Sequence, residues 1–226
     1  MNARIGLIHA VRVSIGPTDE AFERLWPAAR LQHLLDDSLA PDLHAGGGIT
    51  PAINRRFVRL AGYLADCGAD GILYTCSAFG TAIEIARRTV DLPVLKPNEA
   101  MIEEAVAGAG RIGLLATDEA AIRSMVPEIE ALAAARGRRV DIHTACAPAA
   151  MAALRDGRPE AHDAAVADVA RELPMDCDVV VLAQFSMARA RPLVEAAHSG
   201  RVLTSPDSAV RRLRELVDQQ RIGSRP

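Results

Sequence analysis

Short apolar runs recur along this chain at one spacing. Ile5-Gly6-Leu7-Ile8 returns 107 residues later as Ile112-Gly113-Leu114-Leu115. Asp70, which opens one run, returns 108 residues later as Asp178, and Val94-Leu95 returns as Val202-Leu203. The runs near Leu34 and Ile142 fall in the same register. Four matches in one register read as an internal duplication, which requires each copy to form a core of its own. The 226 residues then divide at Gly108-Ala109-Gly110 into an N-terminal lobe, 1–108, and a C-terminal lobe, 109–226, whose last helix can pack back on the first.

Between the apolar runs lie longer amphipathic stretches, the alternation of βα units. The expected strands are Arg4–Ala10, Arg30–Leu35, Gly71–Thr75, Pro93–Leu95, Arg111–Ala116, Arg139–Thr144, Val179–Ala183 and Arg201–Leu203. The expected helices are Asp19–Trp26, Pro51–Asp66, Ala78–Thr89, Asn98–Ala107, Asp118–Ala135, Ala147–Leu154, Pro159–Leu173, Arg189–Ala197 and Pro206–Gln219. Half of the residues are hydrophobic but only seven are aromatic, so the core must be aliphatic. Such a core suits helices over a buried parallel sheet, and the fold class is α/β. In open sheets of this kind ligands bind at the carboxyl ends of the strands.

Composition narrows the function. Lys and Arg number 26 against 29 Asp and Glu, with no basic block and few aromatics, so no nucleic-acid partner is expected. No apolar run approaches the ~20 residues of a membrane span, and the N-terminal run is too short for a signal peptide; the expected location is cytoplasmic, off the membrane. Cys67, Cys76, Cys146 and Cys177 form no C-x-x-C pair and should be free thiols. The six histidines form no metal-binding spacing, and no metal is expected. Gly108-Ala109-Gly110-Arg111-Ile112-Gly113 satisfies G-x-G-x-x-G, but it precedes a strand where a dinucleotide site must follow one. No nucleotide cofactor is expected.

One strand end stands out. Gly71-Ile72-Leu73-Tyr74 runs into Thr75-Cys76-Ser77 just before the helix pattern at Ala78. This sets a thiol and two hydroxyls beside the free N–H groups of a helix N-terminus, which favour a thiolate and bind carboxylate oxygens. A thiolate there can act as base or nucleophile; the alternative is a small buried Cys76 beside an N-cap Ser77. Cys67 and Cys177 lie on runs leading into strands and read as inert core thiols. Cys146 lacks a comparable Thr/Ser frame.

Thr75-Cys76-Ser77-Ala78-Phe79-Gly80, in the first of two similar α/β lobes, resembles the Asp/Glu/hydantoin racemase superfamily, which holds aspartate, glutamate and hydantoin racemases, maleate isomerase and arylmalonate decarboxylase. The likeness extends through Ile112-Gly113-Leu114-Leu115-Ala116-Thr117 and Asp178–Ala188. It implies two pseudo-symmetric open parallel-sheet lobes with the active site in the cleft between them. It further implies a small carboxylate or dicarboxylate substrate, no cofactor and no metal. The family's racemases use two cysteines, one per lobe. Here the position 108 residues beyond Cys76 is Gln184, whose amide does not titrate near neutrality, and Ser186 nearby is a weak base. A two-thiol racemase is therefore disfavoured.

The resulting expectation is a racemase- or isomerase-type enzyme with Cys76 as catalyst, ahead of a single-thiol decarboxylase. A carboxylate-binding protein without activity is the competing reading. Thr75, Ser77 and Thr117 would hold carboxylate or enolate oxygens, Gln184 and Ser186 would bind substrate from the second lobe, and His9 and Ser14 would face it from the end of the first strand. Gly46-Gly47-Gly48 reads as a loop or lid, Asp36-Asp37-Ser38 as a capping or lining segment, and Ser205 as N-cap of the last helix. A homo-oligomer is compatible with the apolar surplus.

Overall fold

The computed structural model describes residues 2–223. Eight strands form two four-stranded parallel sheets. The first contains β1 (Arg4–His9), β2 (Arg30–Leu35), β3 (Gly71–Tyr74) and β4 (Val94–Leu95) in the order β2-β1-β3-β4. The second contains β5 (Arg111–Ala116), β6 (Asp141–Cys146), β7 (Val179–Leu182) and β8 (Arg201–Thr204) in the order β6-β5-β7-β8. The helices are α1 (Ile15–Leu25), α2 (Leu39–Ala45), α3 (Pro51–Asp66), α4 (Gly80–Arg87), α5 (Glu99–Gly108), α6 (Glu119–Ala135), α7 (Pro148–Arg155), α8 (Pro159–Ala170), α9 (Arg191–Ala197) and α10 (Ser205–Gly223). One compact unit comprises the residues up to Pro97 together with those from Ala209 on; the other is Asn98–Ser208.

The repeat is visible in strand pairing. Ile5 lies opposite Gly71 and Ile112 opposite Val179, while Ile72 pairs with Val94 as Val180 pairs with Val202. Each repeated Asp holds the start of its central strand: Arg4 N–H donates to Asp70 at 2.7 Å, and Gly110 and Arg111 N–H donate to Asp178 at 2.7 and 2.8 Å. The fourth match fails. Ile5 pairs with Leu31 and Ile112 with Ile142, so the counterpart of Ile142 is Leu31 and not Leu34. The reason is that α6 has 17 residues where α1 has 11, which shifts β6 along the sequence relative to its sheet position.

Local chemistry sets the boundaries. Thr50 caps α3 by accepting from Ile53 N–H at 3.3 Å, with Pro51 at the first helical position. Asp118 caps α6 by accepting from Ala121 N–H at 2.8 Å. β3 and β7 are buried along their whole length, as expected of strands covered on both faces. Within the first unit the scarce aromatics gather: Phe57 lies 5.1 Å from Tyr74 and 4.9 Å from Phe79, and Tyr74 Oη donates to Phe57 O at 3.0 Å.

Candidate functional site

Cys76 follows the carboxyl end of β3 in extended conformation (φ −128°, ψ 117°). The helix expected from Ala78 is replaced by a 3₁₀ turn, Ser77–Phe79, and α4 starts only at Gly80. Cys76 is half-buried and its Sγ accepts the Ala78 N–H. Burial pushes the thiol up by more than this hydrogen bond lowers it, so Cys76 titrates above the ordinary thiol range. The expectation of a thiolate-stabilising helix terminus is thereby corrected: a single turn offers Sγ one N–H, which does not offset desolvation. Ser77 is exposed and the N-cap of the turn is Cys76 itself.

Beside it, three expected site residues meet. His9 ends β1 and is fully buried, as are Ser14 and Thr75 to within a few per cent. His9 Nδ1 lies 3.0 Å from Ser14 Oγ and 3.0 Å from Thr75 Oγ1, and the two hydroxyls are 2.9 Å apart. Ser14 Oγ also donates to Val11 O at 2.9 Å. On its other side His9 Nε2 is 3.0 Å from His33 Nδ1. Burial, with the adjacent His33, pushes His9 down to about 4, so the ring is neutral near pH 7.

In the second unit the corresponding strand end is organised differently. Gln184 Oε1 accepts the Thr117 N–H at 2.8 Å, while its Nε2 donates to Thr117 Oγ1 at 2.8 Å and to Asp118 Oδ2 at 2.8 Å. The amide ties β7 to the start of α6, and both its donor and its acceptor are engaged there. Ser186 is buried within a 3₁₀ turn, Phe185–Ala190. Cys146, beyond the expected end of its strand, is the last residue of β6; burial and the facing Glu119 and Asp118 carboxylates push its thiol up.

Other expected positions serve structure. Arg56 binds Asp36, Ser38 and Asp42, and Arg12 binds Asp37 at 2.7 Å. Gly47 (φ 64°) and Gly48 close α2 by donating to His44 O and Leu43 O. Thr204 rather than Ser205 caps α10, through the Asp207 N–H, because the Ser205 hydroxyl donates to Asn98 Oδ1 at 2.7 Å. Cys177 is buried, but Cys67 is only half-buried and lines an open hollow of about 350 Å³ with Arg4, Arg30, Leu31 and Gln32. Among the described residues no group of His, Cys, Asp and Glu is arranged to hold a metal, and no helix is long and apolar enough to cross a membrane. His33, Asp19 and Asp118 were not anticipated. Finding His33 requires the strand register: it is two residues from Leu35, which pairs with His9, and so shares the face of His9.

Residues 18–213 match the family described as Asp/Glu/hydantoin racemase. None of the curated proteins matches in sequence. Among solved structures, the glutamate racemase from Francisella tularensis in complex with D-glutamate is 14% identical, with a TM-score of 0.70 over 98% of this chain and 83% of that one. An aspartate racemase homologue from Pyrococcus horikoshii is 16% identical, with a TM-score of 0.71 over 96% and 100%. Unliganded arylmalonate decarboxylase is 18% identical, with a TM-score of 0.61 over 95% and 93%. At these identities the likeness establishes the shared α/β fold.

Proposed function

The chain belongs to the Asp/Glu/hydantoin racemase family, and from that premise we propose that it is an enzyme acting on a small carboxylate in which Cys76 is the one acid–base thiol. The observation that carries this reading is the contrast between the two strand ends. Cys76 is held as a thiol that titrates high, whereas Gln184, at the repeated position, cannot titrate and has its amide engaged by Thr117 and Asp118. Proton exchange on two faces of a carbon needs two titratable groups; delivery to one face needs only a thiol.

The reaction that fits a resting thiol is decarboxylation of an activated malonate-type acid. The bond to the leaving carboxylate breaks, carbon dioxide departs, and its electron pair forms an enolate. The Sγ–H proton passes to the carbon on the Cys76 side, and the thiolate recovers a proton from water. Ser77 and the N–H groups of its turn are the donors suited to enolate oxygens, whose stabilisation is the larger part of the task. A second reading, isomerisation by thiolate addition to a conjugated double bond, is favoured by one observation, the Ala78 N–H on Sγ.

The test is incubation of wild type and Cys76→Ser with substituted malonates and with cis-unsaturated dicarboxylates. Carbon dioxide release by wild type alone supports the first reading, and isomerisation without gas supports the second. Turnover that persists in the variant overturns both.

A further inference from the structure

The polar chain behind Thr75 continues past His9. The His9 and His33 ring planes lie within 10° of each other with centroids 5.2 Å apart; that separation is the N···N contact plus the two ring radii, so the rings meet edge to edge. On the far side His33 Nε2 stands 3.2 Å from Asp19 Oδ1, an oxygen that is buried and has no other partner among the described residues. Building on the reading of Cys76 as catalyst, we propose that His33 and Asp19 are positioning residues which, through His9, decide whether the Thr75 hydroxyl donates inward or is released to donate beside Cys76.

Proton counting carries the argument. With both rings neutral, the Asp19 carboxylate draws the His33 proton to Nε2. His33 Nδ1 is then an acceptor, His9 must carry its proton on Nε2, and His9 Nδ1 must accept a hydroxyl proton. Ser14 has Val11 O as an acceptor, which leaves Thr75 to donate to His9. One added proton reverses every link. It settles on His33, because His9 is held near 4 while His33 faces Asp19 from α1. His33 now donates from both nitrogens, so His9 Nε2 becomes an acceptor and the His9 proton moves to Nδ1. That N–H serves the hydroxyl oxygens, and the Thr75 proton is no longer needed inside. His9 stays neutral throughout and changes only its tautomer. The groups facing His33 in this exchange are Asp19 and His9.

The experiment is ¹⁵N NMR of the histidine rings in the full-length protein, titrated from about pH 8 to about pH 5, the range in which histidine charge changes. The proposal expects neutral His9 with Nε2–H at the alkaline end and neutral His9 with Nδ1–H once His33 is charged. It expects Asp19→Asn, which keeps the shape and removes the charge, to mix the His9 tautomers at pH 8. His9 found as Nδ1–H at pH 8, a tautomer unchanged while His33 titrates, or one unaffected by Asp19→Asn overturns the relay. In a turnover assay, kcat/KM should fall about tenfold as His33 loses its proton, about the worth of one hydrogen bond to a charged oxygen, and His33→Phe should remove that dependence. The NMR readout needs no substrate, so failure of the relay and failure of Cys76 as catalyst are separate results.

Discussion

Replacing Gly6 with Ala puts a methyl where there is no room for one. A Cβ at Gly6 would lie 2.6 Å from Leu64 Cδ1 and 3.1 Å from both Cδ2 and Cγ, so the whole head of Leu64 must move. Leu64 is fully buried on α3 and has no free space to enter. Overpacking of this kind costs about 1–3 kcal/mol, or about 3–9 °C in Tm at about 3 °C per kcal/mol for a chain of this length. The repeat supplies an internal control. Gly113 occupies the same position in β5, where a Cβ would meet a single close atom, Leu173 Cδ1 at 2.9 Å, so Gly113→Ala belongs at the low end of the range. Leu64→Ala alone should cost about 2–5 kcal/mol. In the double variant the new methyl enters vacated space, which gives a favourable coupling of about 1–3 kcal/mol. Urea unfolding of the two single variants and the double variant measures this. Wild-type stability of Gly6→Ala, or strict additivity in the cycle, refutes the reasoning.

Gln184→Ala should lower stability by about 1–3 kcal/mol, because the Thr117 N–H loses its acceptor; urea unfolding reads it. Gln184→Glu sets a second carboxylate against Asp118 and raises a carboxyl pKa in the folded state, so this variant should lose stability relative to wild type as pH rises from about 4 to 7. His9 is depressed from 6.5 to about 4, so the unfolded chain takes up its proton first on acidification. Stability should therefore fall as pH drops through that window by an amount on the order of 3 kcal/mol, and His9→Asn should lack this component. Burial pushes the Asp36 carboxyl up, but Arg56 and Ser38 pull it further down, to below its usual range. Its contribution is present above about pH 4 and lost as pH falls through the depressed value; Arg56→Met should flatten that part of the acid-unfolding curve.

All eight strands were legible because short apolar runs between amphipathic stretches have few alternatives, and α3 was legible to its ends because Thr50, Pro51 and the turn at Gly68 mark them. α1 begins four residues earlier than periodicity indicates, since Gly16 and Pro17 look like a break but sit harmlessly in a first turn. α2 has only seven residues with a proline among them, too few for a 3.6-residue pattern to register. At the site, Cys76, Thr75 and His9 were legible from their places at strand ends. The Gln184 clasp on Asp118 and the partnership of His33 with Asp19 were not, because both depend on which side chains the strand register and helix placement bring together.

The central claim, that one thiol serves one face, is tested most directly by turnover in deuterated water on a prochiral substituted malonate. The account predicts one deuterium at the carbon that lost carbon dioxide, a single product enantiomer, and loss of both in Cys76→Ser. Racemic product, or unchanged turnover by the variant, would contradict it.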